Sequence, residues 1–245
     1  MPRFFLESSA VSDSSVVIEG ADARHIARSL RMAVGDEVIC ASGDGYEYLC
    51  RLALIRDERC EAEVLEKRKC RTESPVRITL FMAYPKGDKL ETVIQKAVEL
   101  GASRIVPFES SRCIKKPKAE KAREKTERLS RIAEEAAKQC GRGIIPEVSM
   151  PVSFRELVSM RDSFDLALFC YEGEGTQSVK AVLENAPDSV RSVAAVVGSE
   201  GGFSPDEAAL ARDCGFIMTG LGKRILRCET APDFVLSAIS YRFEL

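Results

Sequence analysis

The sequence predicts an α/β protein in which a small β-rich domain precedes a larger domain with a mainly parallel sheet. The first 70 residues contain several short apolar or alternating runs, which are typical of strands. A charged stretch over residues 66–74 ends at Pro75 and is typical of a linker. Beyond it, apolar strands alternate with amphipathic helices, the order expected of a sheet covered on both faces. We therefore expect domains over residues 1–72 and 73–245.

The first domain is expected to form a small barrel or sandwich. Its strands are predicted over residues 16–18, 37–41, 46–55 and 60–65. A turn, Ser42-Gly43-Asp44-Gly45, joins two of them. A helix over residues 21–30 is the exception, and it places His25, Arg28 and Arg31 on one flank. This basic stripe is either a solvated face or a contact to RNA.

The second domain is predicted from strands and helices that follow one another in turn. Strands are expected over residues 76–83, 104–108, 165–169, 192–197 and 216–218. Helices are expected over residues 90–100, 153–160, 205–214 and 232–243. A further helix carries Leu129, Ile132, Ala133 and Ala136 at helical spacing and ends before Gly141.

Composition limits the classes of protein that the chain can belong to. Its 245 residues carry 36 Lys+Arg against 38 Asp+Glu, and 45% are hydrophobic, which is ordinary for a globular protein. No run approaches 18 apolar residues, and the opening segment lacks the apolar region of a signal peptide, so we expect a cytoplasmic protein away from membranes. Nine cysteines without a C-x-x-C pair and a single His predict reduced thiols and no metal site.

The near-neutral total hides a basic segment between Arg112 and Arg142. It contains eleven Lys+Arg against five Glu, an excess of six positive charges. Its basic residues are Arg112, Lys115, Lys116, Lys118, Lys121, Arg123, Lys125, Arg128, Arg131, Lys138 and Arg142. The segment is either a solvated helix face or a surface for a phosphate backbone.

Two loops after predicted strands are the best candidates for a binding site, because ligands of α/β sheets bind beyond the carboxyl ends of strands. The first, residues 198–205, has three glycines followed by Ser204-Pro205, a helix start that Glu207 completes as a capping box. It matches neither the dinucleotide loop nor the nucleophile elbow. Gly215 and Gly220 have the glycine spacing of a P-loop, but Leu221 stands where the lysine must be. The second, residues 220–232, combines aliphatic residues with charged ones, of which Arg227 and Glu229 could alternatively form a local ion pair at the next helix.

Several motifs stand along the chain in a characteristic order and spacing. They are YPKGDKLE (84–91), KAVELG (96–101), EEAAKQ (134–139), VVGSEGGF (196–203) and LGKRILRCETA (221–231), with Arg3-Phe4-Phe5 near the start. Together they resemble the RsmE family of 16S rRNA uridine-N3 methyltransferases, within the SPOUT superfamily. The resemblance implies a PUA-like β-barrel followed by a trefoil-knotted domain that binds S-adenosylmethionine, and a homodimer. One departure is Arg24-His25, where relatives often carry paired histidines.

The resemblance also implies roles for individual residues. The expected cofactor-binding residues are Glu172, Gly198, Glu200, Gly201, Gly202, Leu221, Gly222, Ile225 and Leu226. Arg227 and Glu229 are expected beside the reacting uracil, where either Glu229 or Glu200 accepts the N3 proton. Contacts to the 16S rRNA of the small ribosomal subunit are expected from Arg3, His25, Arg28, Arg31, Lys86, Lys89 and Arg112.

Two other functions are compatible with parts of the sequence. A non-catalytic RNA-binding assembly factor would use the basic segment without the cofactor. A nucleotide-binding α/β enzyme that acts on a small metabolite would use the glycine loops, although the nucleotide motifs fail there. The motifs in this order and spacing favour the methyltransferase.

Overall fold

The computed structural model describes residues 1–113 and 119–245, which form two compact units. The first comprises Met1–Glu73 with Ala137–Ile145, and the second comprises Ser74–Ala136 with Pro146–Leu245. Glu73 holds the returning segment in the first unit, because its carboxylate accepts hydrogen bonds from the Arg142 guanidinium at 2.7 Å and from Gly143 N at 2.9 Å. Lys115, Lys116 and Lys118 of the predicted basic segment lie outside the described residues.

The first unit contains a five-stranded sheet that curls over an apolar core. Its strands are β1 (Arg3–Phe5), β2 (Ser15–Glu19), β3 (Glu37–Ala41), β4 (Tyr46–Ile55) and β5 (Arg59–Lys69). They lie in the order β1-β3-β4-β5-β2, and only the β1–β3 pair among them is parallel. Irregular register at Leu49/Cys50 and at Leu52/Leu54 bends the long β4–β5 pair. The predicted helix divides into α1 (Gly20–Arg24) and a π-helical turn, His25–Ser29.

The core of this unit is made by alternate residues of the strands and by one face of the helix. It includes Phe4, Val16, Ile18, Ile26, Val38 and Leu52, all nearly inaccessible to solvent. Cys40, Cys50 and Cys60 pack in the same cluster. All nine cysteines of the chain are free thiols.

The charged stretch that the sequence predicts as a linker is partly strand, and that prediction is wrong for residues 66–69. β5 continues to Lys69 and pairs there with Tyr46 of β4. The side chains on this part of β5 face solvent, so their charge carries no cost. Lys67 Nζ lies 4.9 Å from the ring centre of Tyr46 and 5.4 Å from that of Tyr48, a cation–π arrangement that stabilises the pairing of β4 with the end of β5.

The second unit alternates strands and helices, as predicted. Its strands are β6 (Arg77–Ala83), β7 (Ala102–Glu109), β8 (Glu147–Val148), β9 (Val152–Ser153), β10 (Leu166–Cys170), β11 (Gln177–Ser178), β12 (Ser192–Val197) and β13 (Ile217–Gly220). Its helices are α2 (Lys89–Glu99), α3 (Ala119–Cys140), α4 (Phe154–Ser159), α5 (Val179–Glu184), α6 (Pro205–Asp213) and α7 (Thr230–Phe243), and the last residues of α3 belong to the first unit.

The sheet of the second unit has the order β11-β13-β10-β12-β6-β7-β8, with β9 beside β7. Within this sheet, every strand pair among the described residues is parallel. β12 is buried along its whole length between β10 and β6, which explains its run of small and β-branched residues. The predicted α/β class with a mainly parallel sheet is confirmed, and the carboxyl ends of β6, β10, β12 and β13 meet at one edge.

Candidate active site

A cavity of about 790 Å³ opens at the carboxyl ends of β10, β12 and β13. This is the edge where parallel α/β sheets bind ligands, and the volume suits a ligand of cofactor size. The predicted residues that line it are Glu172, Gly198, Glu200, Gly202, Leu221, Gly222, Ile225, Leu226, Arg227 and Glu229, together with Lys89 and Arg112. These are 12 of the 25 residues that line the cavity, so the sequence identified about half of its wall.

The glycine loop after β12 forms a tight turn in which Gly202 N donates to Ser199 O at 2.9 Å. Gly202 has a φ of +61°, a conformation that favours glycine. A Cβ atom on Gly201 would stand 3.1 Å from the carbonyl oxygen of Arg112, so this position packs closely against the Arg112 backbone. Gly201 does not line the cavity, and its role is to allow this close packing of the loop. The predicted capping box of Ser204 and Glu207 at the start of α6 is confirmed.

The loop after β13 presents the basic side chains of Lys223, Arg224 and Arg227 to solvent. Gly222 has a φ of +119°, and Ile225 is 85% exposed although it lines the cavity. The carbonyl oxygen of Arg227 accepts hydrogen bonds at 2.9 Å from the N–H groups of Thr230 and Ala231, which fixes the start of α7. Among residues 1–113 and 119–245, the Arg227 side chain has no ion-pair partner. The alternative of a capping pair between Arg227 and Glu229 is therefore wrong, because Glu229 pairs with another residue.

That residue is Lys89, which also pairs with Glu200. Its Nζ lies 2.9 Å from Glu200 Oε1, 3.2 Å from Glu229 Oε2 and 3.9 Å from Cys228 Sγ. Cys228 Sγ in turn donates to Glu229 Oε2 at 3.2 Å. Two carboxylates from different loops therefore share one ammonium at the mouth of the cavity.

The charges in this cluster shift one another's pKa values. Hydrogen bonds to Glu200 and Glu229 raise the pKa of Lys89 to about 12. Partial burial acts to raise the pKa of Glu200, but the Lys89 ammonium and backbone N–H groups outweigh it and lower that pKa. The Cys228 thiol, a backbone N–H group and Lys89 lower the pKa of Glu229. Burial, with Glu229 beside it, raises the pKa of Cys228 to about 12. Both carboxylates are consequently ionised at neutral pH, and the thiol keeps its proton.

The residues predicted to contact RNA fall in both units. In the first unit, His25, Arg28 and Arg31 are exposed, and Arg28 pairs with Asp57 at 2.5 Å. Arg3 does not lie on this surface. Its side chain is 7% exposed and pairs with Glu47, so its guanidinium has little access to a phosphate. In the second unit, Lys86 and Arg112 are exposed.

Sequence reasoning missed three features of the site. Lys89 was predicted as an RNA contact and was not linked to the two carboxylates. Ser199 and Cys228 were not selected, although both line the cavity. Only the strand order, with β6 beside β12, brings the loop that leads to Lys89 to this edge of the sheet, and the sequence carries no signal of that order. Across the described ranges, no group of three or more His, Cys, Asp or Glu could hold a metal ion, and no helix is long and apolar enough to span a membrane.

The fold is that of an RNA methyltransferase, as comparison with known families shows. A family described as an RNA methyltransferase domain matches residues 72–240, and one described as an RNA methyltransferase PUA domain matches residues 18–65. Ribosomal RNA small subunit methyltransferase E from Bacillus subtilis is 36% identical over 252 residues, which cover 100% of this chain and 98% of the relative. The chain therefore belongs to the RsmE family.

Solved structures of similar proteins agree with this assignment. A Ribosomal RNA small subunit methyltransferase E from Neisseria gonorrhoeae, bound to S-adenosyl methionine, has a TM-score of 0.88 at 31% identity, with 98% of this chain and 97% of that chain covered. A Legionella pneumophila chain in complex with the bound cofactor SAM has a TM-score of 0.86 at 29% identity, with 98% and 96% covered. The similarity extends over both units of the chain.

Proposed function

We propose that this protein transfers the methyl group of S-adenosylmethionine to N3 of a uridine near the 3′ end of the 16S rRNA of the small ribosomal subunit. The observation that carries the proposal is the cavity in which the glycine loop after β12 meets the loop after β13. Membership of the RsmE family supports the reaction class. The SAM-bound structures of similar chains support the cofactor.

The residues of the cavity suit S-adenosylmethionine. Val197, Phe203, Leu221 and Leu226 offer an apolar wall for a flat adenine ring. Ser199 Oγ lines the cavity, is buried and has no hydrogen-bond partner among the residues that the structure describes, so a polar ligand would satisfy it. We assign cofactor binding to Glu172, Gly198, Glu200, Gly201, Gly202, Leu221, Gly222, Ile225 and Leu226, with Gly201 acting through the loop conformation.

The remaining chemistry falls to the side chains of the chain itself. When bound, S-adenosylmethionine supplies a methyl group on a sulfonium, which is already an activated leaving group. Arg227, exposed at the cavity and without an ion-pair partner in the described ranges, places donors where the uracil becomes negatively charged as N3 loses its proton. Glu229 and Glu200, both ionised, are the candidate acceptors of that proton.

The substrate nucleotide has to leave its base pair and its stack. N3 lies on the Watson–Crick edge of uracil, so it is reached only in an unpaired or flipped base. We assign residues 1–72 to RNA binding through His25, Arg28 and Arg31, and residues 73–245 to catalysis, with Lys86 and Arg112 near the cavity. A homodimer, a trefoil knot and a cytoplasmic location belong to the same proposal. Light scattering of the purified protein tests the dimer.

Mapping of N3-methyluridine in the 16S rRNA of a strain that lacks this protein is the deciding experiment. We expect one methylated uridine near the 3′ end to be lost and to return when the gene is restored. Radiolabel from S-adenosylmethionine should enter small-subunit rRNA in vitro. Binding of rRNA without heat on calorimetric titration with S-adenosylmethionine would contradict the proposal and favour a non-catalytic assembly factor.

A further inference from the structure

Lys89 occupies a position that contact with a phosphate backbone does not explain. It begins α2 and lies between two loops that are distant in sequence, the glycine loop with Glu200 and the loop before α7 with Glu229. Its side chain is only 36% exposed, and its ammonium already contacts two carboxylates. A phosphate would have to displace both.

The two carboxylates are held in different ways. Both oxygens of Glu200 accept from the backbone N–H of Lys86, at 3.2 and 3.3 Å, and Oε1 also accepts from Lys89. Glu229 receives Lys89 and the Cys228 thiol on the same oxygen, Oε2. Within the described part of the chain, no hydrogen bond from another residue reaches Glu229 Oε1. Glu200 is thus an anchor with both oxygens engaged, and Glu229 has an oxygen free for a ligand.

We propose that Lys89 is a positioning residue for methyl transfer. Glu200 anchors the Lys89 ammonium, and this ammonium holds the Glu229 carboxylate at the cavity, where Glu229 accepts the uridine N3 proton. This inference rests on the function proposed above. In the step, the N3–H bond breaks, its proton forms an O–H bond with Glu229, and the electron pair stays on N3. The new N–C bond forms from that pair, and the pair of the broken C–S bond stays with sulfur.

The charges around Glu229 keep its carboxylate ionised, the state that a proton acceptor requires. The groups in contact with it are Lys89 and Cys228, and Glu200 faces it across the Lys89 ammonium. Four further cations, Arg112, Lys223, Arg224 and Arg227, line the same cavity. The pKa of Glu229 is lowered, in part by Lys89, while the Cys228 thiol keeps its proton and continues to donate. Loss of the Lys89 charge should therefore raise the pKa of Glu229.

Two lysines three residues apart provide a matched test. Lys89→Met removes the ammonium that lies between Glu200 and Glu229. Lys86→Met removes an exposed side chain and leaves in place the backbone N–H of residue 86, which is what donates to Glu200. For Lys89→Met, we expect kcat to fall about a hundred-fold, as for a misplaced catalytic group, with little change in KM for the rRNA. The acid limb of its kcat–pH profile should move up by about one pH unit. Lys86→Met should instead raise KM and leave the pH limb in place.

Conservative replacement separates charge from packing. Lys89→Arg keeps the charge and can donate to both carboxylates, so we expect kcat within about tenfold of the wild type. Calorimetric titration with S-adenosylmethionine and thermal unfolding verify that each variant is folded, and Lys89→Gln replaces Lys89→Met if the latter does not fold.

Two outcomes would overturn the inference. One is a Lys89→Met enzyme whose kcat and pH limb match the wild type while KM and salt dependence change, since Lys89 would then be an RNA contact. The other is equal loss in Lys89→Met and Lys89→Arg. Failure of the proposed function is distinguishable from both, because the wild-type protein itself would then transfer no methyl group to rRNA.

Discussion

The carboxylate of Glu207 holds Ser111 by two hydrogen bonds, from Ser111 N at 2.7 Å and from Ser111 Oγ at 2.8 Å. The same carboxylate accepts from Ser204 N at 2.9 Å in the capping box of α6. Arg112, the next residue after Ser111, donates to Gly201 O at 3.1 Å. Glu207 therefore ties the loop after β7 to the glycine loop after β12.

Replacement of this carboxylate should affect both stability and cofactor binding. Glu207→Gln removes the charge of a buried acceptor. It also replaces one carboxylate oxygen by an NH₂ group, which cannot accept from the backbone N–H groups that face it. We therefore expect the free energy of unfolding to fall by about 2 kcal/mol. S-adenosylmethionine should bind more weakly, because the glycine loop loses its support. Urea unfolding and calorimetric titration measure the two effects.

Glu156 is the matched control, because it forms the same capping box at α4, with Ser153, and is exposed. Glu156→Gln should cost about 1 kcal/mol or less and leave cofactor affinity unchanged. Equal effects of the two substitutions would show that Glu207 acts only as a helix cap.

Arg227→Ala should abolish most of the turnover and leave the fold intact. The side chain is exposed, so its loss removes little packing, whereas loss of one donor to a developing negative charge typically lowers kcat by about 10² to 10³. Cofactor affinity should stay the same, as measured by calorimetry. Arg224→Ala, on the same loop, should change mainly KM. Unchanged kcat in Arg227→Ala would remove Arg227 from catalysis.

RNA binding should depend on salt through the exposed arginines of the small domain. Arg28→Ala should reduce the slope of log K against log salt by about 0.7, the value for one single-strand phosphate. Arg51→Ala is the control, because Arg51 is also exposed and paired, with Glu37 at 3.2 Å, and is not an expected RNA contact. Filter binding at several salt concentrations measures both slopes. An equal slope of log K against log salt in the two variants would show that Arg28 does not contact a phosphate.

The sequence predicted those elements whose pattern is set by burial. Strand β12 was predicted over its observed range, residues 192–197, because every side chain in it is buried and apolar or small. The end of β5 was missed, since residues 66–69 face solvent and their charges mask the strand. The loops after β12 and β13 were recognised from their glycines and charges, whereas Glu172, after β10, was expected only from the family resemblance. The contact between Lys89 and Glu229 could not be predicted from the sequence. Lys89 lies 139 residues before Cys228, the neighbour of Glu229, and only the strand order brings the two segments together.

Arg3 illustrates a different limit, because charge alone does not reveal burial. A basic residue near the chain start was expected on the RNA surface, yet its guanidinium lies with Glu47 inside the first unit. Arg68 also donates to Glu47, from Nε at 2.7 Å. The sequence pattern contains no sign of this pairing, since the residues are on strands β1, β4 and β5 and meet only through the sheet.

This buried pair makes the stability of the first unit depend on pH. Burial acts to raise the pKa of Glu47, but hydrogen bonds from Arg3 and Arg68 outweigh it, so the pKa is lowered on folding. A carboxyl of this kind stabilises the folded state fully above its unfolded pKa of about 4.3, and the contribution is lost as pH falls through the lower folded value. Glu47→Gln should lower the free energy of unfolding at pH 7 by about 3 kcal/mol, because Arg3 is left buried without its counter-ion.

The loss should shrink in acid, since the wild type also loses the charge of Glu47 there. Urea unfolding of wild type and variant from pH 7 down to the acid range measures the difference. Glu37→Gln, which breaks the exposed pair with Arg51, is the control and should cost about 0.5 kcal/mol. A Glu47→Gln protein as stable as the wild type at pH 7 would contradict the argument, because the buried guanidinium would then have no need of the carboxylate.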